Sequence, residues 1–223
     1  YEPYSKWEGR DTDLLCTFTT SGTTGRPKLA VHTAGGIARH ARNAARFNDM
    51  NSGDVVLCAL PLYGVLGFVQ AIAALASGGA CVLLPVFKAQ AAAEAIERHR
   101  VTHFFGSDAM MEMVLNAGDY SLATWRRGAF AEYASLGQSV IAQAWSAWGV
   151  RLTGLYGMSE CLAMTAIGDR DGDAQQRGLP GGTPISPEIL FRIVDPVTGA
   201  SLLDRQQGEL QLRGYNVMAG YLN

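Results

Sequence analysis

The sequence of 223 residues lacks several features that mark particular classes of protein. It has only four cysteines and no Cys-x-x-Cys pair, so we predict reduced core cysteines in a cytoplasmic protein rather than a disulfide framework. The longest apolar run, residues 65–76, is interrupted by Gly67 and Gln70 and is too short to span a membrane. The 18 basic and 20 acidic residues leave a net charge of −2. The sequence has no basic patch with interleaved aromatic residues, so we predict that nucleic acid is not a partner.

Apolar segments of strand length alternate with segments of helix length as far as about residue 156. This alternation predicts βαβ units, and therefore an α/β fold with a mostly parallel sheet and helices on both faces. Further along, residues 188–194 and 209–213 alternate apolar and polar side chains, as in an antiparallel sheet with one face exposed. We therefore predict an α/β core over residues 1–182 and the start of a smaller antiparallel β-subdomain over residues 183–223.

A loop rich in glycine and hydroxyl residues lies between a predicted buried strand, residues 13–19, and a predicted helix, residues 36–47. Glycines allow the backbone to approach a ligand closely, and consecutive N–H groups in such a loop can converge on an anion. A lysine at the end of the loop adds a mobile positive charge. The loop therefore predicts a polyphosphate site, although its spacing is not that of a Walker A motif. The residues predicted to bind phosphate are Thr20, Ser21, Gly22, Thr23, Thr24, Gly25 and Lys28.

A second polar segment, residues 155–160, lies at the carboxyl end of a predicted strand, where α/β sheets place their ligands. It brings together the ring of Tyr156, a flexible glycine, the hydroxyl of Ser159 and the carboxylate of Glu160. A purely structural alternative is a strand end at which Ser159 caps a helix. The segment is therefore a candidate site whose chemistry depends on what lies near it.

The two segments together resemble the signature motifs of the AMP-forming adenylating enzymes, which include acyl-CoA synthetases, peptide-synthetase adenylation domains and luciferases. Residues 20–28 are similar to the phosphate loop of that superfamily, and residues 156–160 are similar to its Y-G-x-T-E element, with Ser159 in place of threonine. Residues 208–214, followed by Tyr221, resemble its G-E-L-x-x-x-G strand and the G-Y-x-N after it. For this third motif we expect a structural role. The resemblance extends over the whole chain.

The resemblance implies a role for each polar residue of the second motif. The ring of Tyr156 is expected to stack near the adenine, with Gly157 and Met158 beside it. Ser159 is expected to reach the α-phosphate, and it keeps the hydroxyl of the usual threonine. Glu160 is expected to hold Mg²⁺, a hard ion that prefers carboxylate and phosphate oxygens.

Two further segments match the superfamily more loosely. Its adenine-contacting loop is expected near residues 127–131, which assigns Gly128 and Ala129 to the nucleotide. A proline-led segment resembles the acyl-CoA synthetase stretch P-L-F-H-x-x-G, with Tyr63 at the aromatic position and Gly64 in place of the usual histidine. We therefore expect Tyr63 and Gly64 to line the acid-binding pocket.

The resemblance implies an AMP-forming carboxylate–CoA ligase. A small carboxylic acid would attack the α-phosphate of ATP with Mg²⁺ as cofactor, and the CoA thiol would then displace AMP. The downstream T-G-D motif of the superfamily and its small C-terminal domain, which carries a catalytic lysine, have no counterpart in the sequence. We therefore expect the chain to hold only part of the site and to be inactive by itself.

Three alternatives stay open at this point. An amino-acid adenylation domain of a peptide synthetase would need an acidic residue near positions 63–64 to pair the substrate ammonium, and Tyr63 and Gly64 supply none. A luciferase-like oxygenase shares the same motifs. A nucleotide-binding module without turnover would bind ATP and release no pyrophosphate. The identity of the acid and the oligomeric state are open as well.

Overall fold

The computed structural model describes residues 9–20, 25–179, 181–203 and 206–222. Its strands are β1 (Leu14–Thr19), β2 (Leu29–Thr33), β3 (Val55–Cys58), β4 (Ala80–Leu83), β5 (His103–Ser107), β6 (Arg127–Ala131), β7 (Arg151–Met158), β8 (Leu162–Ile167), β9 (Thr183–Pro184), β10 (Leu190–Val194), β11 (Glu209–Arg213) and β12 (Gly220–Leu222). Its helices are α1 (Ala34–Phe47), α2 (Val65–Ala76), α3 (Ala89–His99), α4 (Asp108–Leu115), α5 (Gly137–Trp148) and α6 (Ala174–Arg177).

The largest sheet has the strand order β4-β3-β5-β6-β7-β8-β9. The neighbours from β4 to β7 are parallel, whereas β8 pairs antiparallel with both β7 and β9. Each parallel connection runs through a helix, because parallel neighbours need a long crossover. This arrangement confirms the predicted α/β fold with a mostly parallel sheet.

Two hydrophobic cores cover the two faces of this sheet. Successive side chains of a strand point to opposite faces, and in β5 Phe105 enters one core while Phe104 enters the other. Helices α1 and α2 pack against the first core, for example through Ile37 and Val69. Helices α3, α4 and α5 pack against the second core. Helices therefore lie on both faces, as the alternation of segments predicts.

The strand that leads into the phosphate loop differs from its prediction. β1 belongs to a small antiparallel sheet with the order β1-β2-β12, and Leu14 and Leu15 on this strand are exposed. The prediction of a buried strand there is wrong, since an edge strand of a three-stranded sheet has one open side. β2 was not predicted, because the helix was expected to follow the loop directly. The α1 helix itself was predicted, and Thr33 caps it by accepting a hydrogen bond from the Gly36 N–H at 3.1 Å.

The last part of the described chain is antiparallel, as its alternating pattern predicts. β10 and β11 pair in register from Leu190 opposite Arg213 to Val194 opposite Glu209. β12 returns to the start of the chain and pairs with β2. The division between two domains after residue 182 stays a prediction. Among the described residues, no helix has the length and apolar character needed to cross a membrane.

Candidate active site

Three neighbouring cavities lie where β5, β6 and β7 reach their carboxyl ends. The β7 cavity, of about 410 Å³, is lined by residues that include Phe130, Glu132, Ser135, Tyr156 and Gly178. The apolar cavity, of about 310 Å³, is lined by residues that include Leu60, Pro61, Tyr63, Gly64 and Gly67. The central cavity, of about 620 Å³, is lined by residues that include Thr19, Thr20, Met158, Ser159, Glu160 and Ala163.

The central cavity connects the other two. Leu155 and Gly157 line both the central and the β7 cavity, whereas Val65 and Leu66 line both the central and the apolar cavity. A ligand with a polar part and an apolar part can therefore extend from the β7 cavity through the centre into the apolar cavity. Ligand sites at the carboxyl ends of parallel strands are the general rule in such sheets.

The second motif lies at the end of β7 and in the turn that leads to β8. The Ser159 hydroxyl donates a hydrogen bond to the Thr19 carbonyl oxygen at 2.9 Å, and residues 162–167 continue as a strand. The alternative in which Ser159 caps a helix is therefore wrong. Gly157 is required near the end of β7, because a Cβ atom there would lie 2.6 Å from the Cα of Ala163. The motif thus packs tightly on β8 and faces the central cavity.

Two buried histidines hold this turn in place. His32 on β2 donates from Nε2 to the Ser159 carbonyl oxygen at 2.7 Å, and His40 on α1 donates in the same way to the Ala163 carbonyl oxygen at 2.7 Å. A carbonyl oxygen can only accept, so both Nε2 atoms carry a proton. Burial lowers the pKa of His32 and lowers that of His40 to about 4. Neither role was predicted, since each contact joins residues more than 120 positions apart.

The phosphate loop is the connection of the β1–β2 hairpin. The Thr20 N–H donates to the Lys28 carbonyl oxygen at 2.8 Å, and the Lys28 N–H donates to the Thr20 hydroxyl oxygen at 3.2 Å. These two hydrogen bonds close the base of the loop, and Thr20 lines the central cavity. Gly25 has φ 143°, a conformation that favours glycine. The remaining predicted phosphate ligands, Ser21, Gly22, Thr23 and Thr24, lie outside the described residues.

The third motif makes an unexpected contact with Glu160. The Tyr221 hydroxyl donates to Glu160 Oε1 at 3.0 Å, and this hydrogen bond raises the pKa of Tyr221. The Lys28 ammonium lies 4.8 Å from the centre of the Tyr221 ring, within the range of a cation–π interaction. The Met218 N–H donates to the Glu160 carbonyl oxygen at 2.8 Å. The three motifs therefore meet around one carboxylate.

The donor set at Glu160 fits a magnesium ion. Glu160 Oε1 accepts from Tyr221, and Oε2 has no hydrogen-bond partner among the described residues. The same part of the chain contains no group of three or more His, Cys, Asp or Glu that could enclose a metal. Mg²⁺ does not need such a cage, since it is commonly held by one or two carboxylates, water and substrate phosphates.

The residues predicted for the acid pocket lie on the wall of the apolar cavity. Gly64 is the N-cap of α2, and Tyr63 before it is 85% exposed. The residues that line this cavity carry no charged side chain. This surface suits an uncharged apolar group, and the contact of Tyr63 and Gly64 with a substrate stays a prediction.

The structure does not support the expected nucleotide contact of Gly128 and Ala129. Both residues are buried within β6, and a Cβ atom at position 128 would overlap the Phe104 carbonyl oxygen of β5. Neither residue lines any of the three cavities, because β6 continues to Ala131 before the chain turns. The residues that reach the β7 cavity instead are Ala131, Glu132, Tyr133 and Ser135.

Comparisons with known proteins agree with this geometry. The AMP-binding enzyme family matches residues 3–222. An indoleacetate–CoA ligase of Aromatoleum aromaticum is 31% identical over 96% of this chain and 42% of its own length. A feruloyl-CoA synthase of an Amycolatopsis species is 30% identical over 94% of this chain and 42% of its own length. The crystal structure of ATP-bound MatB from Rhodopseudomonas palustris superposes with a TM-score of 0.85 at 25% identity, over 98% of this chain and 43% of that protein.

The chain spans less than half the length of these relatives. The family match nevertheless covers nearly all of its residues, and the fold and the three meeting motifs agree with it. The chain therefore belongs to the AMP-binding enzyme family.

Proposed function

We propose that this chain forms the nucleotide- and acid-binding part of an AMP-forming carboxylate–CoA ligase. The observation that carries the proposal is the meeting of the first two motifs at the central cavity, where Thr20, Ser159 and Glu160 line one space. In the proposed reaction a carboxylate oxygen attacks the α-phosphorus of ATP and pyrophosphate leaves. The thiol of CoA then attacks the acyl carbon, and AMP leaves with the bonding electron pair. Positioning and charge neutralisation are the main tasks of such a site.

Each cavity has a proposed occupant. The β7 cavity would take the adenosine, with the Tyr156 ring against the base and Gly157 and Met158 beside it. The phosphates would lie in the central cavity, bound by the loop that Thr20 and Lys28 close. The apolar cavity would take the body of the acid, so that its carboxylate reaches the central cavity.

Ser159 and Glu160 would act directly on the phosphates. The Ser159 hydroxyl donates to Thr19 in the structure, and donation to an α-phosphate oxygen would replace that hydrogen bond. Glu160 would hold Mg²⁺ through its second carboxylate oxygen, with Tyr221 fixing the first. When bound, the ion would neutralise part of the triphosphate charge.

The relatives and the apolar cavity favour an acid that has no charged group besides its carboxylate, with CoA as the acceptor. The relatives are named for CoA ligation of indoleacetate and of ferulate. An amino acid would bring an ammonium group into a cavity whose lining has no carboxylate, and an unpaired buried charge is strongly unfavourable. The adenylation-domain alternative therefore ranks second.

The deciding experiment is acid-dependent ATP–pyrophosphate exchange by the complete gene product. The acids would be acetate, hexanoate, benzoate, phenylacetate and phenylalanine, followed by CoA and detection of the thioester. We expect exchange with at least one of the four acids that lack an ammonium group, and formation of its CoA thioester. Exchange with phenylalanine alone would favour an adenylation domain, and ATP binding with no exchange would favour a nucleotide-binding module.

A further inference from the structure

The loop after β6, residues 132–136, places one large side chain where the three cavities meet. Among the described residues, only Ala131 and Tyr133 line all three cavities. Ala131 carries only a methyl group, whereas Tyr133, a residue that is 84% exposed, carries a phenol ring. Tyr133 is therefore the one bulky residue, in the part of the chain that the structure describes, that borders all three cavities.

A buried carboxylate anchors this loop from below. Asp108, the first residue of α4, has no exposed surface. Its Oδ1 accepts from the Tyr133 N–H at 3.1 Å, and its Oδ2 accepts from the N–H groups of Ala134 at 2.9 Å and Leu136 at 3.1 Å. Its Oδ1 also accepts from the Ala109 N–H at 2.9 Å. Three of the four donors to this one side chain thus come from the loop.

The anchor is itself rigid and charged. Ser107 caps α4 by accepting from the Met110 N–H at 3.2 Å, which fixes the helix end that carries Asp108. Burial opposes ionisation of Asp108, but the hydrogen bonds from the loop and from Ala109 outweigh it and lower the pKa of this carboxyl group. An ionised carboxylate surrounded by N–H donors forms stronger hydrogen bonds than a neutral acceptor does.

We propose that Tyr133 determines which acids the site accepts and that Asp108 is the positioning residue that fixes Tyr133. The inference rests on the proposed function, because it concerns the size of the acid that reaches the central cavity. In this arrangement the Tyr133 ring limits the bulk that the acid can carry next to its carboxylate. Asp108 keeps the ring there by holding the backbone of the loop.

The first test changes the ring. The kcat/KM for ATP–pyrophosphate exchange would be measured with acetate, hexanoate, benzoate and phenylacetate in the complete gene product. Tyr133→Ala should change the ratio between the bulkiest and the smallest accepted acid by about 10-fold or more in favour of the bulky one, as other steric changes in apolar pockets do. Tyr133→Phe keeps the ring and should leave the ratio within about twofold. Equal changes for all acids in Tyr133→Ala would overturn the proposal.

The second test changes the anchor. Asparagine at position 108 has the shape of aspartate but offers one acceptor oxygen and an N–H₂ group that faces two of the donors. Asp108→Asn should therefore release the loop and shift the acid ratio in the same direction as Tyr133→Ala. In a protein that already carries Tyr133→Ala, Asp108→Asn should leave the ratio within about twofold, because the ring it positions is gone. Asp119→Asn, on an exposed carboxylate in the loop after α4, is the matched control.

Three outcomes separate the possible failures. A wild-type protein without acid-dependent exchange would refute the proposed function itself. If the wild type is active but Asp108→Asn leaves its ratio of kcat/KM between bulky and small acids unchanged, only the positioning role is refuted. The same holds if Asp108→Asn shifts that ratio as much in the Tyr133→Ala protein as in the wild type. Thermal unfolding would be measured for each variant. If Asp108→Asn does not fold, Asp108→Ser takes its place, since serine keeps one acceptor oxygen and leaves room for water.

Discussion

At the scale of single residues, side chains from distant parts of the chain hold the polar segment that follows β7. Tyr156, Ser159 and Glu160 lie at the end of β7, facing the cavities, as the position of their motif predicts. The contact of Tyr221 with Glu160 and the loop contacts of Asp108 could not be predicted, because each joins residues distant in the sequence. Tyr221 contacts a residue 61 positions away, and the loop donors to Asp108 lie 25 to 28 positions away.

The proposed charge of Glu160 can be tested by an isosteric change. Glu160→Gln keeps the size of the side chain and removes the charge that would bind magnesium. In the complete gene product we expect ATP–pyrophosphate exchange to fall by about 10²-fold or more, with little change in unfolding temperature. Glu209→Gln on the exposed face of β11 is the matched control. An unchanged exchange rate in Glu160→Gln would contradict the assigned role.

Substitutions at Gly64 and Gly67 can distinguish a loss of space in the acid pocket from a displacement of the backbone. A Cβ atom at Gly64 would lie 3.4 Å from the Pro61 carbonyl oxygen, an ordinary contact, whereas one at Gly67 would overlap the same oxygen. Gly64→His should therefore fit the backbone and reduce the space of the apolar cavity. We expect its loss of kcat/KM to be larger for bulky acids than for small ones, by about 10–200-fold.

Gly67→Ala supplies the comparison for that experiment. Its overlap with backbone atoms should displace the start of α2 and destabilise the protein by roughly 1–3 kcal/mol. Gly67 also lines the apolar cavity, but a Cβ atom there would meet the Pro61 carbonyl oxygen, so its loss of activity should follow the loss of stability and depend less on the size of the acid than that of Gly64→His. A uniform loss in Gly64→His as well would indicate that Gly64 only turns the chain and faces no ligand.

At the scale of secondary-structure elements, predictions succeeded where a pattern was long and failed where it was short. α1 was predicted over residues 36–47, and the structure begins it two residues earlier, at Ala34. β2 was missed, because its five residues lie directly before that helix. β6 was expected to be a loop, because residues 127–131 were matched to the adenine-contacting loop of the superfamily. Its neighbours β5 and β7 on either side make it a strand, which is a property of the fold and not of the segment.

The contact between α1 and β8 predicts a dependence of stability on pH. Burial lowers the pKa of His40 to about 4, whereas a histidine in an unfolded chain has a pKa near 6.5. Above about pH 6.5, His40 is neutral in both the folded and the unfolded protein, so its contribution to the free energy of unfolding does not change with pH. Between about pH 6.5 and 4 the unfolded state takes up the proton first, so the free energy of unfolding should fall by up to roughly 3 kcal/mol.

Urea unfolding from pH 7.5 to 4.5 tests this dependence. His40→Gln keeps a donor near the Ala163 carbonyl oxygen and removes the titrating ring, so its stability should depend less steeply on pH than that of the wild type. His103, which burial also brings to a pKa of about 4, would leave part of the slope in place. His99→Gln, on an exposed side chain at the end of α3, is the control. Equal slopes in the wild type and His40→Gln would contradict the prediction.

At the scale of the whole molecule, the fold class was predicted because apolar segments of strand length alternate with segments of helix length, as in βαβ units. The joining of the first and last strands in one sheet was not predicted. β2 and β12 pair across 189 to 193 positions, and no local pattern encodes such a contact. This pairing brings the phosphate loop beside the third motif, and so places Lys28, Tyr221 and Glu160 together.

The chain by itself should bind nucleotide without completing the reaction. It spans 42–43% of the length of the relatives compared, and the resemblance puts a ribose-binding aspartate and a catalytic lysine outside it. Missing transition-state contacts commonly cost several kcal/mol, or about 10²–10³ in rate for each one. Purified residues 1–223 and the complete gene product would be compared for ATP binding by calorimetry and for acyl-CoA formation with the best acid of the panel. We expect measurable ATP binding by the chain and acyl-CoA formation at least about 10³-fold slower than by the complete protein. Comparable rates would mean that the described cavities already contain every group the reaction needs.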